Sequence, residues 1–274
     1  MDTIHIVNLN EIFAENAHCL SIRLGLDVVK DFNPITNHTY IIFAAHEQAP
    51  TLYSCQLALG KEGKPFKFII INGEPPQSPH LRNKYYLELM RGNIVWDYHE
   101  KSATYLKSLG IRVYSQYCFE FLHNEGEAHR PIDILFVGSR NDRREALYKK
   151  LQERYPEKNI VFDMDWKYKN HNHLRTVLQS AKVVLNIPFY ESGILETHRI
   201  HSALSAGCQV VSLYSGHKPT DDFYSPYIYF AHDLFELFDG GQPLTAKLGY
   251  PHLVNALNPT IQHNKWIIKQ IMSL

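Results

Sequence analysis

Short runs rich in Val, Ile, Phe and Tyr alternate with helical stretches along the whole chain, a pattern that favours parallel sheets flanked by helices. In the first half the strand-like runs are Thr3–Leu9, Thr39–Ala45, Phe66–Asn72, Asn93–Tyr98 and Ile111–Tyr117, with helices expected over Glu15–Val29 and Glu100–Gly110. Thr39–Ala45 and Phe66–Asn72 scarcely alternate between apolar and polar residues, as strands buried on both faces do. The polar stretch His123–Pro131 combines Gly, Pro and mixed charge and marks the boundary between an N-terminal domain, 1–125, and a C-terminal domain, 126–274. Beyond it, strand-like Asp133–Ser139, Asn159–Asp165, Lys182–Pro188, Cys208–Tyr214 and Tyr227–Ala231 are interleaved with helical Asp142–Tyr155, Asn172–Ala181, Asp233–Phe238 and Asn258–Leu274. The expected class is therefore α/β, with two Rossmann-like doubly wound domains facing a cleft, and ligands in such sheets bind beyond the carboxyl ends of the strands.

Charge and cysteine usage narrow the function classes. Lys plus Arg equals Asp plus Glu, 28 against 28, so no overall basic field gathers nucleic acid, and any anion needs a local site. The four cysteines show no paired C-x-x-C spacing, and the histidines form no H-E-x-x-H pattern, which disfavours disulfide scaffolds and zinc sites. No apolar run approaches the roughly 18 residues of a spanning helix. The amino terminus does not read as a signal peptide. A cytoplasmic protein without a transmembrane segment is expected.

Two strand-to-helix turns in the second half concentrate chemistry. In Phe189–Gly207, FYESGILETHRIHSALSAG, the strand should end near Pro188, Gly193 turns the chain, a helix begins near Leu195 or Glu196, and Gly207 closes it. Glu191, Ser192, Gly193 and Glu196 then sit at the carboxyl end of a central strand, with Glu196 and Arg199 on one helical face. A carboxylate there can accept from sugar hydroxyls, and an arginine suits phosphate; a simple dipole-complementing surface pair is the alternative. In Phe136–Leu147, FVGSRNDRREAL, Gly138, Ser139 and Arg140, with Arg143 or Arg144, are candidates for phosphate contact, against a plain helix capped by Asn141 or Asp142. Neither half carries G-x-G-x-x-G after its first strand, and no P-loop is present.

The stretch VVLNIPFYESGILETHRIHSALSAGCQVVS resembles the donor-domain motif of glycosyltransferases of the two-Rossmann GT-B architecture, the group-one and spore-maturation-protein-like types. The resemblance covers most of the second half and implies a nucleotide-sugar donor, with diphosphate at Gly138, Ser139, Arg140, Arg144 and Arg199, ribose at Glu196, and donor sugar at Glu191, Ser192 and Gly193. It implies hexosyl or pentosyl transfer to the hydroxyl of a glycan, lipid-linked or protein-linked acceptor, with no obligatory metal and no other cofactor. Aligned on Gly207, Ser202 falls where the motif's second glutamate stands, with Glu196 as its shifted substitute; a noncatalytic nucleotide-sugar or protein-binding module is therefore an alternative, as is a sugar-nucleotide epimerase.

In the first half, the strands Thr39–Ala45 and Phe66–Asn72 deliver His46, Glu47, Asn72 and Glu74 at their carboxyl ends. Glu74 and His46 are the candidates for the base that takes the acceptor proton, with Asp97 behind them. The aromatic run DFYSPYIYFAHDLFELF, 222–238, reads as core and edge packing rather than as a stacking surface.

Overall fold

A computed structural model describes residues 3–29, 38–63, 67–126, 129–165, 170–191, 193–239, 244 and 247–272. The first unit runs β1 (Thr3–Asn8), α1 (Ala14–Leu24), β2 (Val28–Val29), β3 (His38–Phe43), α2 (Ala49–Lys61), β4 (Lys67–Asn72), α3 (Lys84–Arg91), β5 (Ile94–Asp97), α4 (Glu100–Ser108) and β6 (Val113–Gln116). The second runs β7 (Ile132–Val137), α5 (Asp142–Arg154), β8 (Ile160–Asp163), α6 (His171–Gln179), β9 (Ala181–Asn186), α7 (Thr197–Ser205), β10 (Gln209–Leu213), α8 (Lys218–Tyr224), β11 (Tyr229–Ala231) and α9 (Phe235–Asp239). A last helix, α10 (Tyr250–Met272), follows.

Every described strand pair is parallel. The first sheet has the order β2-β1-β3-β4-β5-β6 and the second β8-β7-β9-β10-β11. Both are doubly wound, and each reverses direction of growth once, between β1 and β3 and between β7 and β9; those switch points are where an open α/β sheet receives a ligand. The cores explain the apolar runs: Ile42, Phe68, Ile70 and Val95 in the first sheet, and Ile134, Phe136, Leu185 and Val211 in the second, are sealed from water.

Two elements differ from the sequence expectation. The helix expected to reach Val29 stops at Leu24, because Gly25 takes the left-handed cap conformation, φ 66°, and Val28–Val29 then pairs with β1. The last helix, expected from Asn258, begins at Tyr250 and runs through Pro259. Its buried residues Tyr250, Leu253, Ile261, Asn264 and Ile268 keep one helical stripe across the proline, so burial of a continuous face outweighs the missing N–H. The compact units are residues 1–120 with 257–274, and residues 121–256, so the end of this helix belongs with the first unit rather than the second. No helix among the described residues is long and apolar enough to cross a membrane.

The C-terminus of α7 sets where β10 begins. Gly207 takes φ +77°, and a Cβ there would lie 2.8 Å from the Arg130 guanidinium. That guanidinium donates to the carbonyls of Ala181 at 2.7 Å and Ala206 at 2.8 Å, tying α7 to the start of β9. Gly207→Ala is expected to cost about 1 kcal/mol or more through its positive φ alone. Urea unfolding should show a lower midpoint at unchanged slope.

Candidate anion-binding site

The second sheet's switch point is built by two arginines that finish its strands. Asn141 caps α5: its side-chain oxygen accepts from the Arg144 amide at 2.9 Å, and its Nδ2 donates to Phe189 O at 2.9 Å, coupling the turns after β7 and β9. Arg144 leaves the first turn of α5 and is 1% exposed. It donates to Ser139 O at 2.6 Å and to Ile187 O at 3.2 Å, carbonyls that lie beyond the strand ends and lack a ladder partner. Arg199, one turn into α7, donates to Val137 O at 2.9 Å and to Asn186 Oδ1 at 3.0 Å.

Both guanidiniums stack over Phe136, at 4.8 Å for Arg144 and 5.1 Å for Arg199, and both reach the Glu196 carboxylate. Glu196 stands at the N-cap of α7 and also accepts from the Phe189 amide at 2.9 Å. A Cβ on Gly138 would meet Arg199 at 2.8 Å and Arg144 at 3.3 Å, so this glycine is what lets two cations approach the end of β7. Its own N–H is taken by Asp163 O at 3.0 Å, so Gly138 contributes room rather than a donor.

Two buried or half-buried cations therefore share one carboxylate. Burial pushes the Arg144 pKa down to about 9, with repulsion from Arg199 in the same sense and Glu196 opposing. A base with pKa about 9 is still charged at neutral pH. Two guanidiniums thus meet one carboxylate at this end of the sheet.

The other sequence candidates are distributed around this pair. Arg140 is half exposed and turned to Asp165, at 2.7 Å, and to Glu145. Arg143 reaches Pro188 O. Glu191 lies exposed on the turn after β9. Gly193 closes that turn with its amide on Tyr190 O at 2.9 Å, and a Cβ would sit 2.8 Å from the same oxygen. Ser192 lies outside the described residues. Sequence reasoning gave Glu196 to a ribose; the structure gives its carboxylate two guanidiniums and a backbone amide as partners. Asn186, sealed from water and joined to Arg199, stood in the resembling motif but was assigned no role.

The first unit gathers a second polar cluster at the carboxyl ends of β3, β4 and β5. Ala44, just after β3, has φ 57°, an uncommon conformation for a residue with a Cβ. The chain thereby turns His46 back toward Glu74, and Nε2 of His46 lies 3.3 Å from the Glu74 carboxylate and 3.6 Å from Glu47. The His80 ring lies tilted beside that of His46, with centroids 4.6 Å apart, and Ser78 donates to the other Glu74 oxygen. Burial lowers the His46 pKa, with Glu74 opposing, and its Nδ1 is buried without a hydrogen-bond partner. Glu74 and His46, proposed together from sequence, are thus neighbours. Asn72, expected to face a ligand, is instead sealed and braces the loop: its Nδ2 donates to Asp97 at 2.7 Å and to Glu74 O at 3.1 Å, while Ser102 donates to Asp97 at 2.8 Å. Among the described residues no group of three or more His, Cys, Asp or Glu could hold a metal ion.

Burial raises the Asp97 carboxyl from 3.8 to about 6, against hydrogen bonds from Asn72, the His99 amide and Ser102. Between about pH 4 and 6 the folded protein holds a proton that the unfolded chain has released, so stability falls as pH rises through this window, by roughly 3 kcal/mol. Glu120, also raised by burial, acts in the same direction. Denaturant midpoints measured from pH 4 to 7 should decline and then level, and Asp97→Asn should flatten the decline.

No family model and no curated protein sequence matches the chain. Among solved structures, the fold is similar to that of Anabaena HepE. HepE in complex with UDP superposes with a TM-score of 0.56 at 12% identity, over 99% of this chain and 100% of that one. HepE in complex with UDP and glucose superposes with a TM-score of 0.62, again at 12% identity, over the full length of both chains. The fold is thus α/β with two Rossmann-like units, as the alternating sequence pattern implies.

Proposed function

We propose that the protein is a glycosyltransferase that moves a sugar from a nucleoside-diphosphate sugar, with UDP as the nucleotide, to an acceptor hydroxyl. The observation that carries this reading is the pairing of Arg144 and Arg199 on the single carboxylate of Glu196, at the switch point where such sheets bind ligands. The likeness to a fold that holds UDP and glucose in HepE supports the choice of nucleotide.

In this reading Arg199, 16% exposed, contacts the diphosphate, while Arg144 is a positioning residue that holds the turns after β7 and β9 and adds charge from behind. Glu196 orients both guanidiniums. Glu191 and the turn at Ser192 and Gly193 contact the donor sugar, and Arg140 answers the phosphates only by leaving Asp165. During transfer the acceptor oxygen bonds to the anomeric carbon, and the bond from that carbon to the phosphate oxygen breaks. The nucleoside diphosphate leaves with the electron pair, stabilised by the cations. Glu74, which His46 and Ser78 hold in place, is the candidate base for the acceptor proton. The acceptor is a glycan, or a lipid-linked or protein-linked hydroxyl.

Titration calorimetry with UDP tests the donor half. The wild-type protein should bind UDP, and Arg199→Ala should weaken it about tenfold to a hundredfold, the worth of hydrogen bonds to a charged group, with Arg199→Lys intermediate. UDP affinity unchanged in Arg199→Ala, in protein that remains folded by circular dichroism, would overturn the assignment. Release of UDP from UDP-glucose that rises when an acceptor is added distinguishes transfer from binding alone.

A further inference from the structure

Beside the arginine pair, the same sheet presents an aromatic surface that the phosphate chemistry does not use. Tyr214 directly follows β10 and is 47% exposed. Ser212 pairs with Phe230 and Leu213 with Ala231 across β10 and β11, so the next pair is Tyr214 with His232, and Phe230 lies two pairs back, on the same face. The rings close into a ladder: Tyr214 to Phe230 at 5.1 Å and 20°, and Tyr214 to His232 at 4.6 Å and 32°.

An exposed aromatic on a loose loop would mean little, but this loop is braced. The Ser215 hydroxyl donates to Asp221 at 2.7 Å, the Ser215 amide donates to the same carboxylate at 3.2 Å, and Asp221 is itself buried at 5% exposure. The His217 amide donates to Ser215 Oγ at 3.2 Å, and the His217 ring shares a 2.7 Å hydrogen bond with Thr220. Tyr214 is therefore held in water with its orientation set in advance, an arrangement that suits stacking because little side-chain freedom remains to be lost.

A buried polar chain joins this ladder to the cations. Asn186 pairs with Ser212 in register and donates to its hydroxyl at 2.9 Å, while accepting from Arg199 at 3.0 Å. From β7, where Gly138 ends the strand, to β10 is two strand spacings, about 10 Å. A ligand that occupies both features is elongated, anionic at one end and flat and aromatic at the other.

We propose that the Tyr214, Phe230 and His232 ladder is the platform on which the base of the nucleoside diphosphate stacks. The inference rests on the nucleotide reading above and extends it to Tyr214 and to Phe230 and His232, which lie in the aromatic run read as packing. Stacking accepts any base face, so the platform contributes affinity and leaves the choice among bases to groups at the ring edge.

Calorimetry with two probes, UDP and inorganic pyrophosphate, separates the platform from the anion site. Tyr214→Ala is expected to weaken UDP about tenfold to a hundredfold and to leave pyrophosphate affinity and the ligand-free unfolding midpoint unchanged, with Tyr214→Phe retaining UDP affinity. Equal losses for UDP and pyrophosphate, or unchanged UDP affinity, would overturn the platform. Wild-type protein that binds pyrophosphate as tightly as UDP would also overturn it and leave the anion site standing. Binding of neither probe would remove the nucleotide reading together with this one.

Discussion

Parallel strands covered on both faces are the constraint from which the rest follows. Residues such as Ile41, Ile69, Leu135 and Val184 have no solvent face, so these strands cannot carry exposed chemistry along their length. Polar groups collect instead where the ladders stop, and there the last carbonyls lose their partners. In the second unit Arg144 and Arg199 supply those partners to Val137, Ser139 and Ile187. The same side chains that end the strands also charge the switch point.

That arrangement is costly to hold without a ligand. Arg144 and Arg199 repel each other beside the single carboxylate of Glu196, in surroundings dry enough to depress the Arg144 pKa. Buried charges of this kind rarely add stability by themselves. The first unit shows a parallel case: Ala44 occupies a strained backbone conformation, Nδ1 of His46 lacks a partner, and burial raises the Asp97 carboxyl to about 6. The apolar residues Ile42, Phe68, Phe136 and Leu185 fill the cores between these sites.

The sheet class, most strands and the turn chemistry were readable from the residues because they depend on local spacing. Apolar runs without alternation announced strands buried on both sides, and Gly207 announced a helix end that does adopt φ +77°. Local signals failed where a distant surface decided. Val28–Val29 is a strand only because β1 lies beside it, and α10 passes through Pro259 only because its flanking turns share one buried stripe. The aromatic run after α8 was read as packing, which holds for Tyr227 and Ile228, but Phe230 backs the exposed Tyr214.

The candidate sites divide along the same line. Sequence showed which residues gather at the strand ends: Glu196 with Arg199 three residues on, Gly138 before a run of arginines, and His46 and Glu74 after consecutive strands. It could not show that Arg144 and Glu196, 52 positions apart, meet at 3.4 Å, or that Arg140 turns away to Asp165. Nor could it show that Gly138 matters for the room it leaves rather than for its amide. Spacing along one helix or one turn is written in the order of residues, whereas the partner of a charge is chosen by which strand ends the folded sheet brings side by side.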